Sequence, residues 1–108
     1  MQIAEIRTDK VIIASCDGRL DTSTAAEAEK KLLSLLKEGA LVADFAGVRY
    51  VSSAGLRVLL KTAKQAKGVG VGFAVCALQP GVREVFEISG FDKVIKVYAT
   101  RAEATAAA

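Results

Sequence analysis

Histidine and tryptophan are both missing from this chain, which has one proline, two cysteines, two tyrosines and four phenylalanines in 108 residues. Without histidine a serine nucleophile has no general base of the usual kind. Without tryptophan no indole can stack on a base, and the formal net charge of +3 contains no block of like charges. Nucleic acid is therefore not indicated as a partner. Cys16 and Cys76 each fall inside an apolar run, and with no secretory signal they are expected as buried, reduced thiols, not as a disulfide. Met1-Gln2-Ile3-Ala4-Glu5 has neither a basic head nor an apolar core, so no signal peptide is expected. No apolar run approaches the roughly 20 residues of a membrane span. These absences together place the chain as a soluble, cytoplasmic protein with no membrane insertion.

What is present is enough apolar material for a real core. Hydrophobic residues make up 52% of the chain and charged ones 25%, the balance of a folded globular domain and not of a disordered segment. At this length one domain over residues 1–108 is expected. Residues 3–8 alternate apolar and polar and residues 11–16 form a continuous apolar run, so the two read as a hairpin across Asp9-Lys10. Asp17-Gly18-Arg19-Leu20-Asp21 then leaves the sheet. Thr22-Ser23-Thr24 offers N-caps, with Thr24 and Glu27 at capping-box spacing. The first helix turns Ala25, Ala28, Leu32, Leu35 and Leu36 inward and stops near Gly39. A buried strand over 41–45 follows, and Ala46-Gly47-Val48-Arg49 is the connection. The second helix is expected over 53–67, with Leu56, Leu59, Leu60 and Ala63 inward and Gly68 as its C-cap. A strand over 69–78, a helix from Pro80 to Gly90 and a strand over 94–98 complete a core of residues 3–98. The alanine-rich tail, 99–108, reads as helical. Strands alternating with helices after a hairpin predict an α/β domain with a mostly parallel sheet and helices packed on it.

The chemistry concentrates at Ser52-Ser53, where a loop turns into the second helix. Unpaired N–H groups and the positive end of the macrodipole favour a phosphate there, and also favour a plain capping serine. Two hydroxyls exceed what capping needs, and Ala54-Gly55 leaves room for the approach of a kinase. The rivals are weaker. Val51-Ser52-Ser53-Ala54-Gly55 has only the second glycine of a nucleophile elbow. Ser34-Leu35-Leu36-Lys37 matches Ser-x-x-Lys in mid-helix, beside core leucines. Gly68-Val69-Gly70-Val71-Gly72 closes a helix and opens a strand, the reverse of a dinucleotide loop. Asp17, Asp21, Asp44 and Asp92 show no metal-ligand spacing, so neither cofactor nor metal is indicated. Arg57, Lys61, Lys64 and Lys67 share one helix face, a solvated surface that can also meet an acidic partner.

Four fragments in order make the chain resemble the sulfate-transporter-and-anti-sigma-factor-antagonist (STAS) domain family, in particular its stand-alone anti-sigma-factor antagonists. They are Gly18-Arg19-Leu20-Asp21, Asp44-Phe45-Ala46-Gly47-Val48, Ser53-Ala54-Gly55-Leu56 and Gly90-Phe91-Asp92. The resemblance implies partner switching in a bacterial transcription circuit. The unphosphorylated antagonist binds an anti-sigma factor that is itself a serine kinase. Phosphorylation of the antagonist by that kinase ends the complex, and a metal-dependent serine/threonine phosphatase resets it. The acceptor role falls on Ser53, with Ser52 as the competing acceptor because it stands where many antagonists carry aspartate. Asp21, in the neighbouring loop, is implied in kinase or partner contact, together with Thr22, Ser52, Ala54, Gly55, Arg57 and Lys61. Such a protein is not an enzyme and works as a monomer or weak dimer. Two other functions remain open on the sequence: a STAS docking subunit of a lipid transporter or signalling scaffold, and a small serine hydrolase lacking histidine.

Overall fold

A computed structural model describes residues 1–108. Strands β1 (Gln2–Arg7) and β2 (Ile12–Leu20) form the expected antiparallel hairpin. Helix α1 (Ala25–Leu36), strand β3 (Leu41–Val51), helix α2 (Ser53–Val69), strand β4 (Phe73–Cys76) and helix α3 (Pro80–Ser89) follow. A 3-10 turn at Phe91–Lys93 leads to β5 (Lys96–Tyr98) and then α4 (Arg101–Ala107). The five strands lie in sequence order, and every pairing after the first is parallel. Right-handed crossovers that all step in one direction put their helices on one face of the sheet. The main core accordingly joins Leu32, Leu35, Leu59 and Phe86 of α1–α3 to Ala14, Ala43, Phe45 and Val75 of the strands. The opposite face keeps Ile13, Val42 and Cys76, and only Ala104 of α4 closes over them.

That asymmetry explains the apolar run at residues 11–16. Val11, Ile12, Ile13 and Ala14 are all buried, because α1–α3 cover one set of side chains and α4 covers the other. Cys16 and Cys76 are free, buried thiols. Burial pushes the Cys16 thiol up to about 12 and the Cys76 thiol up to about 11, so neither supplies thiolate at neutral pH.

Several boundaries differ from expectation. β2 stays in the sheet through Leu20 instead of leaving at Asp17, because register shifts at Ser15/Asp17 and Gly18/Arg19 let it keep pace with β3. β3 in turn runs to Val51, so Ala46-Gly47-Val48-Arg49 is strand and not connection. Thr24 makes no capping bond to α1; its hydroxyl accepts from the Asp21 N–H at 2.9 Å and donates to the Arg19 carbonyl at 2.9 Å. α2 passes through Gly68 and ends at Gly70, whose φ of 78° supplies the left-handed cap. Its inward face is Leu56, Val58, Leu59, Thr62 and Ala66, with Leu60 and Ala63 half-buried. β4 and β5 are shorter than expected, four and three residues: α2 keeps Val69, and the turn after the 3-10 segment keeps Val94 and Ile95.

The tail is the second face's only helical cover, and one ion pair holds it there. Asp44 is 6% exposed, accepts from the Ala46 N–H at 2.9 Å, and pairs with Arg101 Nε at 2.7 Å. Arg101 also donates to Ser15 Oγ at 3.4 Å. Removing the guanidinium leaves a buried carboxylate with one remaining donor. Arg101→Ala is expected to lower unfolding free energy by about 1–3 kcal/mol, read in urea denaturation. An Asp44→Asn/Arg101→Ala double variant should be less destabilised than the sum of its parts.

Candidate functional site

Leu20 and Val51 are the last rungs of the β2–β3 ladder, and both chains leave the sheet there side by side. The Ser52 N–H donates to the Leu20 carbonyl at 2.9 Å, which ties the start of α2 to the end of β2. Gly55 completes the junction. A Cβ at Gly55 would stand 2.6 Å from the Leu20 carbonyl oxygen and 2.7 Å from Leu20 Cγ, so the first turn of α2 rests directly on β2 backbone. Gly55 is buried; the space it clears is for Leu20 and not for an approaching kinase. Its part in docking is therefore indirect, a correction to the sequence reading.

The two serines have separate positions. Ser52 is the N-cap, with extended backbone, and its Oγ accepts from the Gly55 N–H at 3.3 Å. Its own carbonyl accepts from the Leu56 N–H at 2.9 Å, and the residue is half-buried. Ser53 is the first helical residue and is exposed. Its hydroxyl takes no part in the hydrogen bonding that builds the junction. Ala54, between Ser53 and the buried glycine, is half-buried.

Across the junction, Asp21 organises its own loop. Its Oδ1 accepts from the Ser23 N–H at 3.0 Å and the Ser23 hydroxyl at 2.7 Å, while Arg19 Nε reaches Oδ2 at 3.5 Å. The Ser23 hydroxyl, opposed by a smaller desolvation effect and aided by the Ser23 N–H and Arg19, holds the Asp21 carboxyl below the usual carboxylate range. Thr22 is exposed at the tip. The Arg19 guanidinium lies 4.3 Å from the centroid of the Tyr50 ring, a cation–π contact across the paired positions Arg19 and Tyr50. Tyr50, 42% exposed, was not singled out by sequence reasoning. The signal becomes visible only once β2 is carried past Cys16 and β3 past Phe45, which puts Arg19 and Tyr50 in register on the face opposite Leu20 and Val51.

The basic residues of α2, Arg57, Lys61, Lys64 and Lys67, are all exposed. Lys61 is paired with Glu29 of α1 at 3.2 Å, whereas Arg57 belongs to none of the ion pairs. No group of three or more cysteine, aspartate or glutamate side chains comes together in a way that could hold a metal ion. The arrangement is an exposed hydroxyl at a helix N-terminus, flanked by an ordered acidic loop on one side and cations on the other. It can accept a phosphoryl group and present or withdraw a docking surface.

Comparison with known proteins agrees with the order of the sequence fragments. Residues 2–104 match a family model described as the STAS domain. The chain is 38% identical over 109 residues to BtrV of Bordetella bronchiseptica, named provisionally as an anti-sigma factor antagonist, covering 99% of this chain and 94% of that protein. It is 30% identical over 92 residues to the anti-sigma-F factor antagonist RsfB of Mycobacterium tuberculosis, covering 83% and 75% respectively. The crystal structure of an anti-sigma factor antagonist from Mycobacterium paratuberculosis superposes with a TM-score of 0.90 at 30% identity, covering 98% and 92%.

Two outcomes test this junction. Gly55→Ala must push α2 off Leu20, and is expected to cost about 1–3 kcal/mol in chemical denaturation. Because the folded carboxyl of Asp21 titrates below its unfolded value, the stabilisation it gives is present above about pH 4 and lost as pH falls through the folded value. The protection factor of the Ser23 amide, its exchange rate relative to the intrinsic rate at the same pH, should therefore fall on acidification through that window. In Asp21→Asn it should already be reduced at neutral pH and show no acid step.

Proposed function

The chain belongs to the STAS domain family, and from this premise we propose that it is an anti-sigma-factor antagonist switched by phosphorylation of Ser53. Phosphorylation switching is typical of the family's antagonists, which are regulatory binding proteins and not enzymes. The family assignment also sets aside the serine hydrolase. The observation that carries the choice of acceptor is the division of labour between the serines: Ser52 is occupied as the cap, and Ser53 is exposed and unengaged.

Anti-sigma-factor antagonists bind anti-sigma factors that are kinases. In this reading the partner kinase docks on the Asp21 loop and the exposed side of α2, with Arg57 and Lys61 facing its acidic groups. The kinase transfers the γ-phosphoryl of ATP to Ser53 Oγ, with ADP leaving and the hydroxyl proton passing to a base of the kinase. A serine/threonine phosphatase hydrolyses the ester and restores the binding form. In this reading the chain acts in the cytoplasm, where such a kinase and its sigma factor would meet it. No helix is long and apolar enough to cross a membrane.

The energetics make this an efficient switch. Phosphate adds about −1.5 to −2 charges at pH 7. At the first turn of α2 it meets the positive end of the dipole, worth about 0.3–1 kcal/mol in its favour. Facing a partner that had packed against a neutral hydroxyl, the same charge meets desolvation and like-charge repulsion of several kcal/mol. A loss of about 2.7 kcal/mol is already a hundredfold in affinity.

The test is intact-mass analysis with site mapping after incubation with ATP and the serine-kinase anti-sigma factor of the same organism. One phosphate is expected on the native chain and on Ser52→Ala, none on Ser53→Ala, and partner affinity should fall at least about a hundredfold on phosphorylation. Phosphate lost only in Ser52→Ala would move the acceptor by one residue. An unmodified protein that instead co-purifies with transporter subunits would replace this reading by the docking-subunit one.

A further inference from the structure

Ser53 and Arg57 stand four residues apart on the exposed face of α2, so their side chains are neighbours one helical turn apart. Helical side chains lean toward the helix N-terminus, which places the Arg57 side chain over the turn that carries Ser53. The order acid then base along the chain is also the favoured one for such a pair. The other nearby cations are already engaged. Arg19 stacks on Tyr50 and pairs with Asp21, and Lys61 pairs with Glu29. Arg57 alone of the three has no ionic partner in the unphosphorylated protein.

We propose that Arg57 is the intramolecular receiver of the Ser53 phosphate, so that phosphorylation withdraws a docking cation in the same step that installs an anion. This rests on Ser53 as the acceptor. A guanidinium can engage two phosphate oxygens through its forked N–H donors, which a lysine at the same position cannot reproduce. In the unphosphorylated state Arg57 offers one free positive charge to an acidic partner surface. In the phosphorylated state the Ser53–Arg57 pair carries a net charge of about −1. The partner therefore loses an attraction and gains a repulsion at one spot. The phosphate is held along α2, away from Asp21, whose carboxylate remains with Ser23 and Arg19. Arg57 is thus a positioning residue of the switch, which its place in a general basic stripe does not imply.

The experiment needs no kinase. Phosphoserine is incorporated at position 53 during translation, and the phosphate is titrated by phosphorus NMR in the native background, Arg57→Gln, Arg57→Lys, Arg19→Gln and Lys64→Gln. Lys64 lies about 16 Å further along the helix and serves as the control. The charged groups around the phosphate are Arg57 on its own helix, Asp21 on the adjoining loop, Arg19 at the end of β2, and the Glu29–Lys61 pair between α1 and α2. The expected result is a second ionisation that rises by roughly 0.3 of a pH unit in Arg57→Gln. It should rise less in Arg57→Lys, and stay put in Lys64→Gln. The Arg57 Nε–H resonance should also shift on phosphorylation in the native background. An Arg57→Gln protein that is folded by circular dichroism and titrates like the native one overturns the proposal. So does a shift seen in Arg19→Gln and not in Arg57→Gln, which would turn the phosphate toward the Asp21 loop. Kinase mapping to a residue other than Ser53 would sink the acceptor assignment while leaving this titration readable.

Discussion

The backbone of Leu20 is the point on which the functional end of the molecule depends. Its carbonyl accepts the Ser52 N–H, and its carbonyl oxygen and Cγ lie where a Cβ of Gly55 would have to go. No side chain fits at 2.6 Å from a carbonyl oxygen, so the first turn of α2 sits on β2 only because residue 55 has none. Everything nearby inherits its position from this contact. Asp21 starts its loop one residue after Leu20, Ser52 caps the helix that Gly55 seats, and Ser53 faces outward because Ser52 and Gly55 face in. A hydrophobic core alone would allow α2 to slide or tilt by an ångström. The backbone-to-backbone contact removes that freedom where a recognition surface requires it.

The location follows from topology as much as from packing. With strands in sequence order and parallel pairing from β2 onward, the helix N-termini collect at the carboxyl ends of the strands. This is where open α/β sheets place their functional groups. Ser53 itself is exposed and stands outside what keeps the chain folded. Core residues Leu32, Phe45, Leu59 and Phe86 lie beneath the helices, and the Arg101–Asp44 pair holds α4 on the opposite face. A charge added at an exposed first-turn residue disturbs neither, so its consequences fall on what binds there.

The alternation of residues 3–8, the capping signals and Pro80 made the α/β class and most helices legible in the sequence, since these are local properties. The strand ends were not. Asp17-Gly18-Arg19 reads as loop by residue type, yet it stays in the sheet because β3 offers it partners 30 to 31 residues further on, at Gly47, Val48 and Tyr50. Long-range pairing of that kind leaves no local trace. The error had a cost at the site: ending both strands early hid the Arg19–Tyr50 contact and made Gly55 look like clearance for a partner. Thr24 misled in a similar way. Its spacing to Glu27 fits a capping box, but its hydroxyl is taken by the Asp21 turn, a competing local bond. The Ser-Ser pair itself was legible as a place. The assignment of one hydroxyl to structure required the hydrogen bonds.

Two adjacent serines solve a problem that one cannot. A single serine at the cap would carry the helix's first donor and the regulatory phosphate on the same oxygen. Esterifying it would put a tetrahedral group beside the buried Leu20 and Gly55 and disturb the contact that seats α2. Switching and local stability would then be coupled, and each round of signalling would loosen the surface that has to be recognised again after dephosphorylation. With Ser52 holding the Gly55 N–H and Ser53 one residue further on and exposed, a phosphate on Ser53, as proposed, would leave the oxygen that caps the helix untouched. Serine at position 52 serves the cap as well as an aspartate would and, unlike an aspartate, puts no negative charge beside a phosphate on Ser53 in the proposed switch.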